Sequence, residues 1–533
     1  MTAIYDYIIV GGGPAGCALA SRLSQRCSDA RIALLEAGPE HAGWASDVPL
    51  GMALHVPRKS ARNYAYSTVP QPGLNGRRGF QPRGRGLGGS SLINAMVYVR
   101  GQPQDYDGWA REAGCEGWSW HDVLPIFKRA EHNERGGNAL HGTGGALHVA
   151  DLRTPNPVAG AFLDAAVETG FVRNPDFNGP TQEGVGFYQV LQRNGRRYQA
   201  AHAYLSPRSN LHVLAHCQVE RIVFDGRRAA GVVMQRDGRT QRVDANAEVI
   251  VCAGAFGSPQ LLMCSGIGPA GHLRSFGIDV VLDSPEVGGN LQDHIDYAIN
   301  RRLASRDLVG LTPSMLPQIW RGWREFKRQG TGLLTSNIAE AGGFLRTHPG
   351  LDRPDVQLHF CIALVDNHGR NWHLTRGYCV HVCVLRPKSR GTVRLTGADV
   401  RGAPLIDPQF LSDPEDMETL VRGASLVRRI LRARAMRPFV GSPIHDDDEV
   451  QDEELHAVIR AYADTIYHPA GTCRMGGDSR AVLDPQLRVR GVDKLRVADA
   501  SIMPTLVSGN TQAPSGMIGE RAADLLCCTN AGR

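Results

Sequence analysis

The N-terminal strand, glycine-rich turn and helix constrain the fold more than any other part of the chain. They read YDYIIVGGGPAGCALASRLSQRCSDARIALLEAG at 5–38. Residues 5–10 form an apolar, β-branched run typical of a strand buried on both faces. Gly11, Gly13 and Gly16 follow in GxGxxG spacing, a helical pattern comes next, and a second strand at 32–35 ends at Glu36. This order predicts a unit that binds a dinucleotide.

Each part of the unit has a physical task. Gly11 permits the tight turn, Gly13 lets the backbone approach a pyrophosphate, and Gly16 lets the helix pack closely on the strand. The helix N-terminus offers free N–H groups to the negative charge. Glu36 can accept hydrogen bonds from a ribose diol. The unit by itself does not distinguish NAD from FAD.

Length and composition indicate a globular protein with more than one core. The chain has 533 residues, of which 42% are hydrophobic and 21% charged. Its formal charge of +6 is spread without a run of five or six like charges, so a nucleic acid is not expected as a partner. The twelve cysteines include no CxxC pair, and several lie in apolar runs. We therefore expect reduced thiols and no metal site.

Localisation is inferred from what the first residues and the apolar runs lack. The first strand follows MTA directly, without the pattern of a secretion signal. Apolar runs stay shorter than a bilayer requires. We expect a cytoplasmic protein, with a peripheral position on the inner face of the cell membrane as an alternative.

Glycine-rich segments recur along the chain. They are PRGRGLGGSSLINAMVYVRG at 82–101, AEVIVCAGAFGSPQLLMCSGIGP at 247–269, VGGNLQDH at 287–294 and LRVADASIMPTLVSGNTQAP at 495–514. Two of them read as a strand, a turn and a helix, like the first unit. One nucleotide-binding domain is therefore predicted to be assembled from distant parts of the chain.

A histidine in IYHPAGTCRM, His468, is a candidate for chemistry. The residues around it leave three readings open: a metal ligand, a packed core residue or a catalytic base. The metal reading is weak, because Cys473 is five residues away and nothing nearby completes a set of four ligands.

These motifs together resemble the glucose–methanol–choline (GMC) oxidoreductase family, whose members are FAD-dependent. The resemblance rests on the first unit, RGRGLGGSS, GAFGSPQLLMCSGIG, NLQDH, YHPAGTCRMG and VADASIMP…GNTQAP, in this order across nearly the whole chain. GVGFYQVLQRNGRR, LLTSNIAEAGGF and DNHGR most resemble the bacterial alcohol dehydrogenases of the family that act on medium- and long-chain alkanols. Choline dehydrogenases are slightly more distant.

The resemblance implies where FAD binds. The first unit would hold the ADP-ribose part, and the helix after Asn510 would point its N-terminus at the flavin, where reduction develops negative charge. Ile93 stands where some members carry the histidine that attaches FAD, so non-covalent FAD is implied. The implied cofactor-binding residues are Gly11, Gly13, Pro14, Ala15, Gly16, Glu36, Ala37, Gly88, Gly89, Ser90, Asn94, Ala95, Val97, Val219, Asp499, Ala500, Asn510, Thr511 and Gln512.

The resemblance also implies that His468 and Asn510 are the catalytic pair. Hydride leaves the carbinol carbon quickly only if the hydroxyl proton leaves too, and a neutral imidazole is a suitable acceptor. Asn510 would hold the hydroxyl in place. His294, in NLQDH, would support packing rather than chemistry.

The expected fold class is α/β, with two domains. A discontinuous, Rossmann-like FAD domain would comprise 1–155, 206–299 and 466–533. A substrate domain built on an antiparallel sheet with helices would comprise 156–205 and 300–465. No prediction is made of the oligomeric state.

A primary aliphatic alcohol is the expected substrate, and a quinone or other acceptor would take the electrons. No acidic or aromatic cage for a quaternary ammonium is evident in the sequence, which favours a neutral alcohol over choline. An oxidase that uses O₂, a choline dehydrogenase and a non-redox FAD lyase of the same family are the alternatives.

One basic, tryptophan-containing segment, LPQIWRGWREFKRQG at 316–330, has two readings. On a helix, Ile319, Trp323 and Phe326 share one face, and the arginines and lysine lie largely elsewhere. Such a helix suits docking on an anionic membrane. An ordinary helix packed on its own domain is the favoured reading.

Overall fold

The computed structural model describes residues 3–40, 43–445 and 452–530. Helices flank two large sheets. The helices are α1 (Pro14–Arg26), α2 (Trp44–Asp47), α3 (Met52–His55), α4 (Pro103–Arg111), α5 (Trp120–Ala130), α6 (Pro157–Glu168), α7 (Ala200–Tyr204), α8 (Gly254–Cys264), α9 (Ala270–Ser275), α10 (Met315–Gln329), α11 (Pro414–Leu431), α12 (Asp452–Tyr462) and α13 (Gln512–Asn530).

Most strands belong to one of these two sheets. The strands are β1 (Ala3–Val10), β2 (Ile32–Leu35), β3 (Tyr66–Ser67), β4 (Phe80–Gln81), β5 (Glu131–Asn133), β6 (Leu147–Ala150), β7 (Gly184–Phe187), β8 (Val190–Arg193), β9 (Arg196–Arg197), β10 (Leu211–Leu214), β11 (Gln218–Asp225), β12 (Arg228–Arg236), β13 (Arg239–Val251), β14 (Ile267–Gly268), β15 (Leu282–Asp283), β16 (Ile295–Arg302), β17 (Ala339–Leu345), β18 (Val356–Cys361), β19 (Gly377–Val384), β20 (Thr392–Arg394), β21 (Leu405–Asp407), β22 (Ser442–Pro443), β23 (Asp464–Thr465) and β24 (Leu495–Val497).

The first sheet joins distant parts of the chain, as predicted. Its seven strands run in the order β10-β2-β1-β13-β12-β11, and β24 pairs with β13. The pairs that β10, β2, β1, β13 and β24 make with one another are parallel, while β12 and β11 add an antiparallel extension to β13. All four residues of β2 and the last four of β1 are buried, as expected for parallel strands covered on both faces.

The second sheet is antiparallel and also has seven strands. Its order is β22-β16-β19-β18-β17-β7, with β23 paired to β16. Along β18, Val356, Leu358 and Phe360 belong to a core that also includes residues of α6 and α11. Because side chains alternate along a strand, His359 and Cys361 lie on the opposite face, where they line a cavity. The sheet therefore has one apolar and one polar face.

The fold class is confirmed, since a discontinuous nucleotide-binding unit accompanies an antiparallel sheet with helices. The domain limits stay a prediction. Strand β16 crosses the predicted limit at 300, because it begins at Ile295 and pairs with β19 of the second sheet. Within the described ranges, every helix is too short or too polar to cross a membrane.

Candidate active site

A large cavity, of about 1920 Å³, lies between the two sheets. A typical pocket for one small molecule measures about 300–1,000 Å³, so this volume suits a dinucleotide together with a second ligand. The residues singled out from the sequence that line it are Gly11, Gly13, Pro14, Ala15, Glu36, Ala37, Gly89, Ser90, Asn94, Ala95, Val97, Val219, His468, Asp499, Ala500, Asn510, Thr511 and Gln512. Gly16 and Gly88, which were also singled out, are not among the residues that line the cavity.

The glycine turn after β1 leaves room for a ligand at the start of α1. Gly11 has a φ of +110°, and a Cβ there would lie 2.3 Å from the carbonyl oxygen of Cys252. A Cβ on Gly16 would lie 1.9 Å from the carbonyl oxygen of Gly11, so Gly16 permits close packing of helix and strand. Apart from chain neighbours, no described atom lies within 4 Å of the position of a Cβ on Gly13. This arrangement fits a pyrophosphate at the helix N-terminus.

Glu36, at the end of β2, is buried and holds three backbone segments together. Its Oε2 accepts a hydrogen bond from the Gly12 N–H at 2.8 Å. Its Oε1 accepts from Gly38 at 2.8 Å and from Gly86 at 3.0 Å. Burial raises the pKa of this carboxyl group, while the three N–H donors favour the ionised form. The carboxylate lines the cavity with further lone pairs for a ribose diol.

The glycine-rich segment after β4 packs directly against the first turn. Gly88 has a φ of +108°, and its N–H donates to the carbonyl oxygen of Gly12 at 2.7 Å. Asn94 donates from Nδ2 to Oε1 of Gln512, which ties this segment to the first turn of α13. Ile93 lines the cavity with an alkyl side chain, so covalent attachment of FAD through a histidine is not available at this position.

Asp499 connects β24 to α8. Its Oδ2 accepts from the Gly254 N–H at 2.8 Å and from Ser258 Oγ at 2.5 Å, and its Oδ1 accepts from the Ser501 N–H at 2.8 Å. The carboxyl ends of β1, β13 and β24 thereby meet at one edge of the sheet. Ligands of open α/β sheets bind at this edge.

His468 and Asn510, which are 42 positions apart in the sequence, meet at the wall of the cavity. Asn510 Nδ2 lies 3.1 Å from His468 Nε2. Gln357, on the polar face of the second sheet, donates from Nε2 to Asn510 Oδ1 at 3.0 Å. That donor fixes the amide of Asn510 with its NH₂ group towards the imidazole.

A second histidine fixes the tautomer of His468. His294 Nε2 lies 3.0 Å from the carbonyl oxygen of Leu385, so it carries the proton of the neutral ring. His294 Nδ1 is then an acceptor, and it lies 2.9 Å from His468 Nδ1. His468 therefore carries its proton on Nδ1 and presents an unprotonated Nε2 to Asn510. This assignment follows from the hydrogen-bond network.

The surroundings of His468 keep the ring neutral. Burial lowers its pKa well below the usual range, and the proximity of His294, His359 and the Arg83 cation further disfavours a positive charge on the ring. Burial also lowers the pKa of His294, to about 3. The preceding residue, Tyr467, has a φ of +76°, which is an outlier for a bulky side chain and typical of strain held at functional sites.

If His468 is the base that the family resemblance implies, the rate of alcohol oxidation should be independent of pH between about 8 and about 6. A base whose pKa is lowered stays unprotonated as the pH falls through the ordinary range of histidine. The measurement is kcat/KM for one alcohol across this interval. If activity instead falls with an apparent pKa near the usual histidine value of about 6.5, His468 is not a base with a lowered pKa.

Sequence reasoning missed several residues of the polar face. Gln357 orients Asn510, and His359 lines the cavity on the same face of the sheet. Cys361 and His381 line the same wall. The available signal was alternation, since 357, 359 and 361 share one face of β18. The sequence does not say which face meets the nucleotide-binding half.

Comparisons with known proteins agree with this geometry. Family models described as GMC oxidoreductase match residues 5–296 and 387–519. "Alcohol dehydrogenase [acceptor]" of Pseudomonas putida is 46% identical over 98% of this chain and 96% of its own length. "Oxygen-dependent choline dehydrogenase" of Sinorhizobium fredii is 44% identical over 97% of this chain and 95% of its own.

A solved structure supports the same assignment. Pyridoxine 4-oxidase from Mesorbium loti superposes with a TM-score of 0.86 at 31% identity, covering 98% of each chain. The prediction of the family from its motifs is confirmed, and so are the FAD cofactor and the enzyme class that the resemblance implied. The chain belongs to the GMC oxidoreductase family.

Proposed function

We propose that this protein oxidises neutral aliphatic primary alcohols to aldehydes, with His468 as the base. The observation that carries the proposal is the neutral imidazole whose free Nε2 faces Asn510 at the cavity wall. Bound FAD supplies the hydride acceptor. A quinone or another acceptor then takes the electrons, in keeping with the words "[acceptor]" in the name of the Pseudomonas relative.

The two side chains can hold one hydroxyl group between them. The alcohol oxygen would accept a hydrogen bond from Asn510 Nδ2 and donate its proton towards His468 Nε2. Gln357 keeps the Asn510 amide in this orientation. As the proton arrives at Nε2, the other ring proton stays hydrogen-bonded to His294 Nδ1.

The charges on the cavity wall favour a neutral alcohol over choline. Among the described lining residues, the only carboxylates are Glu36 and Asp499. Both lie in the nucleotide-binding half, and both accept backbone N–H donors. No carboxylate in the described wall is therefore placed to neutralise a quaternary ammonium ion, whose burial without a partner is costly.

The matched pair of choline and 3,3-dimethyl-1-butanol tests this preference. The two alcohols have the same shape, but carbon replaces the charged nitrogen in the second. We expect kcat/KM, measured with a dye acceptor, to be at least about 10-fold higher for the neutral alcohol. In a series of straight primary alkanols, each further buried CH₂ should raise kcat/KM by up to about 4-fold, equivalent to about 0.8 kcal/mol.

Higher kcat/KM for choline than for its neutral analogue would overturn the substrate assignment. Peroxide measured in the same reactions under air reports whether O₂ is the acceptor. If the amount of peroxide equals the amount of aldehyde and the dye does not raise the rate, the protein is an oxidase rather than a dehydrogenase.

The mouth of the cavity is apolar and exposed, and we propose that it contacts an anionic lipid membrane. The residues of this mouth patch are Trp44, Leu54, Leu311, Leu316, Ile319, Trp320 and Trp372, all of which line the cavity and are at least 43% exposed. Helix α10 contributes three of them. It packs on its own chain through Met315, Gly322 and Phe326, in agreement with the favoured reading, and its exposed face carries the membrane proposal.

Charge around α10 complements an anionic surface. The helix carries Arg321, Arg324, Lys327 and Arg328 against a single carboxylate, Glu325. Arg324 lies 4.9 Å from the ring centre of Trp320, and Lys327 lies 5.1 Å from that of Trp323. Aromatic rings beside cations suit the interfacial layer of a bilayer. A lipid-soluble alcohol could then enter the cavity from the membrane.

We expect the double substitution Leu316→Ser with Trp320→Ser to weaken binding to phosphatidylglycerol vesicles by about 10-fold or more, since each large apolar side chain contributes about 1.5–3 kcal/mol when fully buried. The measurement is cosedimentation at low salt. Val172→Ser is the control, because Val172 is 73% exposed and lies away from the cavity lining. Equal binding by the double variant and the wild type would exclude this patch as the contact.

A further inference from the structure

Two thiols and one imidazole come together on the polar face of the second sheet. The potential ligand atoms of Cys361, Cys379 and His381 lie within 4.8 Å of one another. All three residues are buried, with 4%, 0% and 8% of their surface exposed. The cluster is separate from the His468–Asn510 pair, and the mechanism above does not use it.

Strand pairing builds this cluster. Cys361 of β18 lies directly opposite Cys379 of β19, and His381 follows Cys379 by two residues on the same face. The separation of 18 residues between the cysteines does not match a familiar metal motif. The cysteine spacing used in the sequence analysis therefore could not reveal the cluster, which exists only when β18 and β19 pair.

The imidazole of His381 is already oriented by a carboxylate. Its Nδ1 lies 2.6 Å from Oδ2 of Asp296, which belongs to the neighbouring strand β16. The other ring nitrogen, Nε2, is thus the one available to the cluster. A carboxylate that holds the far nitrogen of a histidine is the usual support of a metal-binding imidazole.

We propose that Cys361, Cys379 and His381 bind a zinc-class divalent cation at the wall of the cavity. Two thiolates and one imidazole are a ligand set that zinc accepts, with a fourth position left for water or another oxygen. Cys361 and His381 line the cavity, so the fourth position faces the space assigned to the alcohol. Each thiol releases its proton to solvent as its sulfur–metal bond forms.

Occupation of this site affects alcohol binding, a consequence that depends on the function proposed above. Cys361 lies two residues from His359 on the same face of β18, a separation of about 7 Å along a strand. His359 lines the cavity with Asn510. A cation held by Cys361 therefore narrows the alcohol space, and zinc should raise the apparent KM for the alcohol more than it lowers kcat.

The test titrates the FAD-containing enzyme, freed of metal by a chelator and kept reduced, with Cd²⁺ and with Zn²⁺. We expect one equivalent of Cd²⁺ to produce the ultraviolet absorption of cadmium–thiolate bonds. Cys361→Ser and Cys379→Ser should each weaken binding at least about 10-fold. Cys383→Ser is the matched control. Cys383 is buried on β19, as Cys379 is, but lies outside the cluster, so cadmium binding should be unchanged.

Three results would overturn the proposal. In the first, wild-type protein binds no more cadmium than the Cys361→Ser, Cys379→Ser double variant. In the second, Cys383→Ser abolishes cadmium binding as fully as the Cys361→Ser and Cys379→Ser variants do. In the third, the metal-free protein without added reductant has the same number of free thiols as the Cys361→Ser, Cys379→Ser double variant, which indicates a disulfide between the two cysteines. If one cation binds tightly but KM for the alcohol does not change, the metal site stands and its proposed effect on alcohol binding is wrong. The cadmium titration itself does not depend on the proposed activity.

Discussion

Replacing His468 with alanine is expected to slow anaerobic flavin reduction by a primary alkanol about 10²–10⁴-fold. The imidazole Nε2 is unprotonated in the resting protein, and its loss leaves the hydroxyl proton without an acceptor at the cavity wall. FAD content should stay unchanged, because the predicted cofactor contacts lie mainly in the glycine-rich segments. The measurement is the single-turnover rate together with the flavin absorbance per protein.

His348→Ala is the control for this variant, since His348 is exposed in a loop away from the cavity lining. It should keep the wild-type rate. Wild-type reduction by His468→Ala with a full complement of FAD would show that another group takes the proton. Loss of FAD from His468→Ala alone would mean that His468 supports the cofactor instead.

Replacing His294 with leucine is expected to slow the same step by about 10-fold or more. Leucine removes the acceptor that holds the proton of His468 on Nδ1. The other tautomer places a proton on Nε2, where the Asn510 amide also presents an N–H. In either tautomer of His468, one buried ring N–H lacks a suitable acceptor. The base therefore loses part of its function.

His294→Asn separates this positioning role from simple packing. The Asn side-chain oxygen can take the place of Nδ1 as the acceptor, while the contact of Nε2 with Leu385 is lost. Most of the wild-type rate should return, with kcat affected more than KM. Equal rates for the Leu and Asn variants would show that His294 contributes volume rather than a hydrogen bond, as the sequence analysis expected.

Local patterns predicted the nucleotide-binding half well. β1, the glycine turn, α1 and β2 are contiguous, and Gly16 has a local steric reason, since a Cβ there would meet the carbonyl oxygen of Gly11. The strand before Asp499 and the helix after Asn510 could also be recognised, because a buried apolar run precedes a turn and a helical pattern. The meeting of His468 with Asn510 was implied by the family resemblance alone.

The second sheet shows why the remaining features could not be read from the sequence. Gln357, His359 and Cys361 alternate with apolar residues, which identifies a two-faced strand but not its partner. Only the register of β18 with β19 places Cys361 opposite Cys379. The role of His294 likewise depends on the approach of two rings that are 174 positions apart. Long-range pairing of this kind leaves no local signal.

Neutral His468 is proposed to accept the hydroxyl proton while the carbinol hydride leaves. The most direct measurement mixes the wild-type enzyme with a primary alkanol, or with its 1,1-dideuterated form, in a single anaerobic turnover. We expect loss of the visible flavin absorption, one aldehyde per flavin and a several-fold slower reaction with the deuterated alcohol, with little change in rate between about pH 6 and about pH 8. Failure of every primary alkanol to bleach the flavin would contradict this proposal.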